Sequence, residues 1–192
     1  MTFSEFSLSR ELHASVRRMG FDQPTPIQQA AIPAALDGRD VLASAETGSG
    51  KTAAFLLPIM NRLLTMQRGA TRALVLAPTR ELAAQIAEHF KELASGTRLT
   101  CAAVYGGVGM GSQERAFRKG VDMIVACPGR LLDHMRGPFA DMTDLQYLVL
   151  DEADRMLDMG FLPDIKKVLA IIPRNRQTLF FSATLPPTIV DL

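Results

Sequence analysis

Residues 45–52 read Ala-Glu-Thr-Gly-Ser-Gly-Lys-Thr, and this stretch has the composition needed to hold phosphate. Small residues at Gly48, Ser49 and Gly50 let backbone N–H groups curl around an anion, and a helix opening at Lys51 adds its own N-terminal N–H groups. In that arrangement Lys51 reaches the β- and γ-phosphates of a nucleotide and the Thr52 hydroxyl meets Mg²⁺. Ala45 stands where the first glycine of the usual GxxxxGKT spacing falls, with Glu46 and Thr47 completing the loop. One hundred residues beyond Lys51, the apolar run Tyr147-Leu-Val-Leu150 empties into Asp151-Glu152-Ala153-Asp154. A carboxylate leaving a strand's carboxyl end faces the crevice of an open α/β sheet. Asp151 can hold magnesium there, directly or through water, while Glu152 orients and deprotonates an attacking water. Asp154 alone reads equally well as a helix cap. The combination points to binding and hydrolysis of a nucleoside triphosphate.

The elements that must position these residues alternate. Strands are predicted over Val41–Ala45, Ala73–Ala77, Leu99–Tyr105, Asp122–Ala126, Tyr147–Leu150 and Thr178–Phe181. Helices are predicted over Thr52–Leu64, Arg80–Ala94, Ser112–Arg118, Arg130–Met135 and Pro163–Ile171, the last with proline in its first turn. Two more precede the sheet: Ser9–Arg18, with Ser9 as N-cap, and Pro26–Leu36. Continuously apolar strands separated by helices imply an α/β fold with a mostly parallel sheet and helices on both faces.

The bulk composition agrees with one domain of ordinary size. The chain has 192 residues, 47% of them hydrophobic and 21% charged, in the range of a globular protein. Its longest apolar runs are far too short to cross a bilayer, and Met1–Glu5 lacks the features of a signal peptide, so a cytoplasmic protein is the default expectation. Cys101 and Cys127 lack CxxC spacing and read as buried free thiols. His13, His89 and His134 show no ligand spacing and read as surface or boundary residues. The net charge of +1 gives no sign of nucleic acid, so any such surface must be local.

Further motifs stand in order around this core. Gly20-Phe-Asp-Gln-Pro-Thr-Pro-Ile-Gln28, Pro78-Thr79-Arg80-Glu81-Leu82, Gly106-Gly107, Pro128-Gly129-Arg130 and Ser182-Ala-Thr184 accompany Asp151-Glu-Ala-Asp154. Together they resemble the DEAD-box RNA helicases over the whole chain, and the string is most similar to the bacterial RhlE-type branch. The resemblance implies a RecA-like P-loop NTPase domain spanning 1–192, with a Q-motif region at 1–29 and an ATP-binding core at 30–192. It implies that Phe3 is the upstream aromatic of the Q motif. It also implies ATP (or ADP or AMP) with Mg²⁺ as ligands, and RNA as partner.

The Q motif has a chemical logic of its own. A glutamine amide accepts from adenine N6–H and donates to N7, whereas guanine offers acceptors at both atoms. Gln28 is therefore the ATP-over-GTP selector if it faces the base, and Phe21 can stack on the ring. Core packing is the competing reading for Phe3, Phe6 and Phe21, and the better one for Phe6.

The resemblance implies an RNA-backbone track formed by Pro78, Thr79 and Arg80, Gly106 and Gly107, and Pro128, Gly129 and Arg130. Helix N-termini, glycine N–H groups and arginines are what bind phosphates without reading sequence. Without that context either arginine reads as a solvated surface charge. Cys127 replaces the family's usual threonine and removes a hydroxyl donor; Glu46 replaces its usual glutamine and adds a negative charge. Ser182 and Thr184 are implied to couple the nucleotide site to strand separation, although helix capping would look the same.

Phosphoryl transfer usually also needs an arginine aimed at the γ-phosphate, worth roughly 10³–10⁵ in rate. In this family it comes from a second RecA-like domain beyond the Ser-Ala-Thr motif. The chain stops one turn after Pro186-Pro187, too short for a helix to bury a face, and reads as a piece of a longer protein. It is expected to bind ATP or ADP weakly, to hydrolyse ATP poorly and not to unwind RNA alone. Three rivals remain. A DNA translocase is disfavoured by the Q motif, and a GTPase by the lack of any Asn-Lys-x-Asp. A non-catalytic RNA clamp is separated by Glu152→Gln, which abolishes hydrolysis only in an enzyme.

Overall fold

The computed structural model describes residues 1–184, and the helix expected to open at Pro186-Pro187 lies outside them. Six strands, β1 (Val41–Ser44), β2 (Ala73–Leu76), β3 (Cys101–Val104), β4 (Met123–Ala126), β5 (Tyr147–Leu150) and β6 (Gln177–Ser182), form one sheet. All pairings are parallel, in the order β1-β6-β5-β2-β4-β3. A strand's side chains alternate between the two faces, and the central strands use both. Ala73, Val75, Met123, Val125, Tyr147 and Val149 enter one core. Their neighbours Leu74, Leu76, Ile124, Ala126, Leu148 and Leu150 enter the other.

The first core is covered by α1 (Arg10–Arg18), α2 (Pro26–Leu36), α3 (Lys51–Leu63) and α4 (Arg80–Ala94), through side chains such as Leu12, Ile32, Phe55 and Phe90. The second is covered by α5 (Met110–Lys119), α6 (Pro128–Met135), α7 (Ala153–Asp158) and α8 (Leu162–Ile171), through Phe117, Leu131, Met156 and Ile165. The edge strands β1 and β3 are only partly covered, so burial on both faces holds for the middle of the sheet and not for its rims.

Three features differ from the sequence reading. α7 was not predicted; with six residues it is too short to show a period, and its acidic start reads as loop. α5 begins at Met110 and α6 at Pro128, each two residues before the predicted start, and Pro128 occupies the first turn that its fixed φ suits. His134 is wholly buried, not a surface or boundary residue: it stacks among Phe117 and Phe139 and bonds Gln113. Cys101 and Cys127 are free but only partly buried. Burial of their sulfur atoms still pushes the thiols up, to about 12 and about 11.

Parallel strands all end on the same edge of a sheet. The predicted site residues that follow the strands therefore emerge on one side of the molecule, and Gln28 joins them from α2. The strand order divides that side in two: β1, β6 and β5 are neighbours, and so are β2, β4 and β3.

Candidate functional site

The first half begins where β1 ends. Ala45 N donates to the Ser182 carbonyl at 3.0 Å, which ties the loop entrance to β6. The loop closes on itself through Ser49, whose N and Oγ both donate to the Glu46 carbonyl, at 3.3 and 2.6 Å. Glu46, Thr47 and Gly48 are exposed. Gly50 caps α3 with φ 92°, and a Cβ there would lie 2.5 Å from Gln28 Nε2. Only glycine accepts both that backbone and that approach. Lys51 follows, 6% exposed, and its Nζ has no hydrogen-bond partner. A buried ammonium without an acceptor is costly, so its placement asks for an anion.

Gln28 lies beneath this loop, 4% exposed. Its Oε1 accepts from Thr25 N at 3.0 Å and its Nε2 donates to the Gly50 carbonyl at 3.1 Å. Each end of the amide keeps one unused valence, since the oxygen has two lone pairs and the nitrogen two hydrogens. Phe21 is half-buried and sits 5.9 Å from Phe3 between ring centroids, while Phe3 and Phe6 are core residues.

β5 delivers the acids. Asp151 is 2% exposed; burial pushes it up to about 6 despite the opposing charge of Lys51. Its Oδ1 accepts from Glu152 N at 3.0 Å. Glu152 has φ 51° and ψ 50°, the left-handed region, and is the one non-glycine residue with positive φ among the described residues. Its carboxylate accepts from Arg155 Nη1 at 3.1 Å and from Thr47 Oγ1 at 3.4 Å. Asp154 faces β6: its N donates to Ser182 Oγ at 3.0 Å, and its Oδ2 accepts from Thr184 N and Oγ1 at 2.9 and 3.0 Å. Burial alone would raise the Asp154 carboxyl, but bonds from Ser182, Thr184 and the Arg155 amide hold it below its usual range. A cleft of about 320 Å³ joins Gln28, Lys51, Thr52, Asp151 and Glu152. Gln85 and His89 of α4 also line it, and nothing in their sequence spacing signalled that.

The second half has three loops. Pro78 is buried, and Thr79 caps α4, its Oγ1 accepting from Leu82 N at 3.2 Å. Arg80 is exposed and pairs with Glu81 at 2.6 Å. Cys127 occupies the same capping position on α6 and makes no side-chain bond. Pro128 and Gly129 form the first turn of that helix. The Arg130 side chain is 18% exposed and donates to the Val108 carbonyl at 3.0 Å, with Asp133 at 3.9 Å. Gly107 has φ 82°, and a Cβ on it would lie 3.4 Å from Arg80 Nη1. The Arg80, Gly106-Gly107 and Arg130 loops therefore adjoin one another.

Among the described residues, no helix is long and apolar enough to cross a membrane. The fold and its loop order recur in known proteins. A solved DEAD box protein from the hyperthermophile Methanococcus jannaschii superposes with a TM-score of 0.94 at 38% identity, covering 100% of this chain and 52% of that one. A probable ATP-dependent RNA helicase ddx27 of Dictyostelium discoideum is 51% identical over 100% of this chain and 25% of its own length. The ATP-dependent RNA helicase SrmB of Escherichia coli is 49% identical over 96% of this chain and 42% of its own. The chain thus spans about a quarter to two fifths of these curated relatives. The family model for DEAD/DEAH box helicases matches residues 25–192, taking in the phosphate loop, the acids and all three backbone loops. With the parallel sheet that gathers those loops on one edge, this match makes the chain a member of the DEAD/DEAH box helicase family.

Proposed function

We propose that this chain is the nucleotide-binding RecA-like half of an ATP-dependent RNA helicase. In this reading a second RecA-like domain of the same full-length protein closes over it, in the cytoplasm. The observation that carries the reading is Lys51: a buried ammonium with no partner, at a helix N-terminus, opening on a cleft walled by Asp151 and Glu152.

The loop from Ala45 to Thr52 cradles phosphates with its N–H groups, and Lys51 neutralises the β- and γ-oxygens. Gln28 uses its two spare valences on adenine, accepting from N6–H and donating to N7, without surrendering Thr25 or Gly50. Phe21 stacks on the base. Among the described residues no cluster of three His, Cys, Asp or Glu can hold a metal alone. The Thr52 hydroxyl and Asp151 fit magnesium that shares its shell with phosphate oxygens and water. Held by Thr52 and Asp151, magnesium would supply positive charge against the phosphate oxygens.

Glu152 takes the proton of the attacking water as its oxygen bonds to the γ-phosphorus; the bond to the β-bridging oxygen breaks and ADP leaves with that electron pair. Asp154 reads the change into β6 through Ser182 and Thr184. Across the β5–β2 junction, Pro78, Thr79, Arg80, Gly106, Gly107, Pro128 and Gly129 form the RNA-backbone surface, and Arg130 belongs to it through the loop that it holds at the Val108 carbonyl. RNA-stimulated ATP hydrolysis and separation of a short duplex by the full-length protein test this reading. Both are expected, and both are lost in Glu152→Gln; a Glu152→Gln protein that still hydrolyses ATP overturns the assignment.

A further inference from the structure

The carbonyls on either side of Gly106-Gly107 are both held by side chains, one from buried Gln113 and one from half-buried Arg130. Before the pair, the Tyr105 carbonyl accepts from Gln113 Nε2 at 3.1 Å; after it, the Val108 carbonyl accepts from Arg130 Nη1 at 3.0 Å. Gln113 is 4% exposed and is itself fixed by His134, whose Nε2 lies 3.0 Å from Gln113 Oε1. The direction of each bond follows from chemistry. A carbonyl only accepts, so the Gln113 nitrogen must face Tyr105 and its oxygen must face His134. His134 therefore donates from Nε2 and carries a bare Nδ1, which is buried and without a partner. The ring packs against both Phe117 and Phe139, with centroids 5.2 and 6.0 Å away. Two helical residues thus hold one short loop and a third, His134, holds one of them; none of the three lines the nucleotide cleft.

We propose that Gln113, held by His134, and Arg130 are positioning residues that clasp the Gly106-Gly107 loop in its phosphate-binding shape. Arg130 acts on RNA through this loop and not by touching the backbone. The proposal rests on the reading of that loop as an RNA contact. Two adjacent glycines have no intrinsic preference for one shape, so their N–H groups point at a phosphate only if both flanking peptides are fixed. Arg130 is spent on the Val108 carbonyl, with 18% of its side chain exposed; Arg80 is 62% exposed, and its partner Glu81 is an exposed neighbour that phosphate can displace.

The test is the salt dependence of RNA binding. A residue that neutralises a phosphate on single-stranded RNA contributes about 0.7 to the slope of log affinity against log salt, and a positioning residue contributes nothing. Binding of a fluorescein-labelled single-stranded oligoribonucleotide is measured for the unaltered protein and for Arg80→Gln, Arg130→Gln, Gln113→Leu, His134→Leu and His134→Gln. Amide hydrogen exchange at Gly106, Gly107 and Val108 is followed in parallel, and circular dichroism with a cooperative melt verifies folding.

The expected result is a loss of about tenfold in affinity for Gln113→Leu, His134→Leu and Arg130→Gln, the scale of one hydrogen bond, with unchanged slope and faster loop exchange. His134→Gln, which restores an N–H donor, should recover most of the affinity. Arg80→Gln alone lowers the slope. A slope lowered in Arg130→Gln as much as in Arg80→Gln overturns the role of Arg130. Unaltered loop exchange in folded Gln113→Leu and His134→Leu overturns the clasp. If the unaltered protein binds no RNA, or Arg80→Gln changes nothing, the RNA reading itself fails and takes this inference with it.

Discussion

Glu152 holds a left-handed backbone that a glutamate adopts only at a cost, and that cost can be measured. The conformation is worth about 1–2 kcal/mol against an L-residue with a Cβ. Glycine removes it but brings extra freedom to the unfolded chain, which returns about 0.4–1 kcal/mol. Comparing Glu152→Gly with Glu152→Gln isolates the backbone, because both lose the carboxylate and its pairing with Arg155. Glu152→Gly should exceed Glu152→Gln in unfolding free energy by about 0.5–1 kcal/mol, a rise of about 1–4 °C in Tm for a chain of this size. Urea and thermal unfolding without nucleotide measure the difference, and ATPase assays should find both variants inactive. Strain of this kind persists where the neighbouring structure enforces it and function uses it, here to aim a carboxylate into the cleft beside Asp151. If Glu152→Gln proves as stable as Glu152→Gly, the strain argument is wrong. If either retains hydrolysis, so is the role given to Glu152.

Three further predictions use the same logic. Lys51→Met removes a buried, unpartnered ammonium, so urea unfolding of the nucleotide-free chain should show a gain of about 1 kcal/mol while a fluorescent nucleotide no longer binds; a loss of stability contradicts this. Cys127→Thr supplies the hydroxyl cap that Thr79 gives α4 and α6 lacks. It should raise stability by about 1 kcal/mol and tighten RNA binding, read by thermal melts and by titration. Burial, with help from Arg130 and against Glu114 and Asp133, lowers the His134 pKa. A depressed histidine binds its proton more readily in the unfolded chain, so its stability contribution is present above about pH 6.5 and is lost as pH falls below that value. The urea midpoint of the parent should therefore drop faster between pH 7.5 and 5.5 than that of His134→Gln.

Much of this site could be read in the sequence because its chemistry is local. A phosphate loop is eight consecutive residues, and the acids follow an apolar strand directly, so their exposure to the crevice needs no tertiary knowledge. The parallel sheet was legible for the same reason: Ala73–Leu76 and Tyr147–Leu150 are apolar at every position, as strands buried on both faces must be. What sequence could not give was pairing across distance. Gln28 bonding the Gly50 carbonyl spans 22 residues. His134 and Gln113 lie 21 apart on two amphipathic helices, where each alone reads as a polar surface residue. The strand order was equally hidden, and it is the order that separates the nucleotide loops from the backbone loops.

The central claim is that the cleft beside Lys51 binds an adenine nucleotide with magnesium, and a calorimetric titration of the chain with ADP and with GDP tests it most directly. The expected result is one site, ADP at least about tenfold tighter than GDP through the amide of Gln28, and no binding after Lys51→Ala. Equal affinity for the two nucleotides, or ADP binding that survives Lys51→Ala, contradicts it.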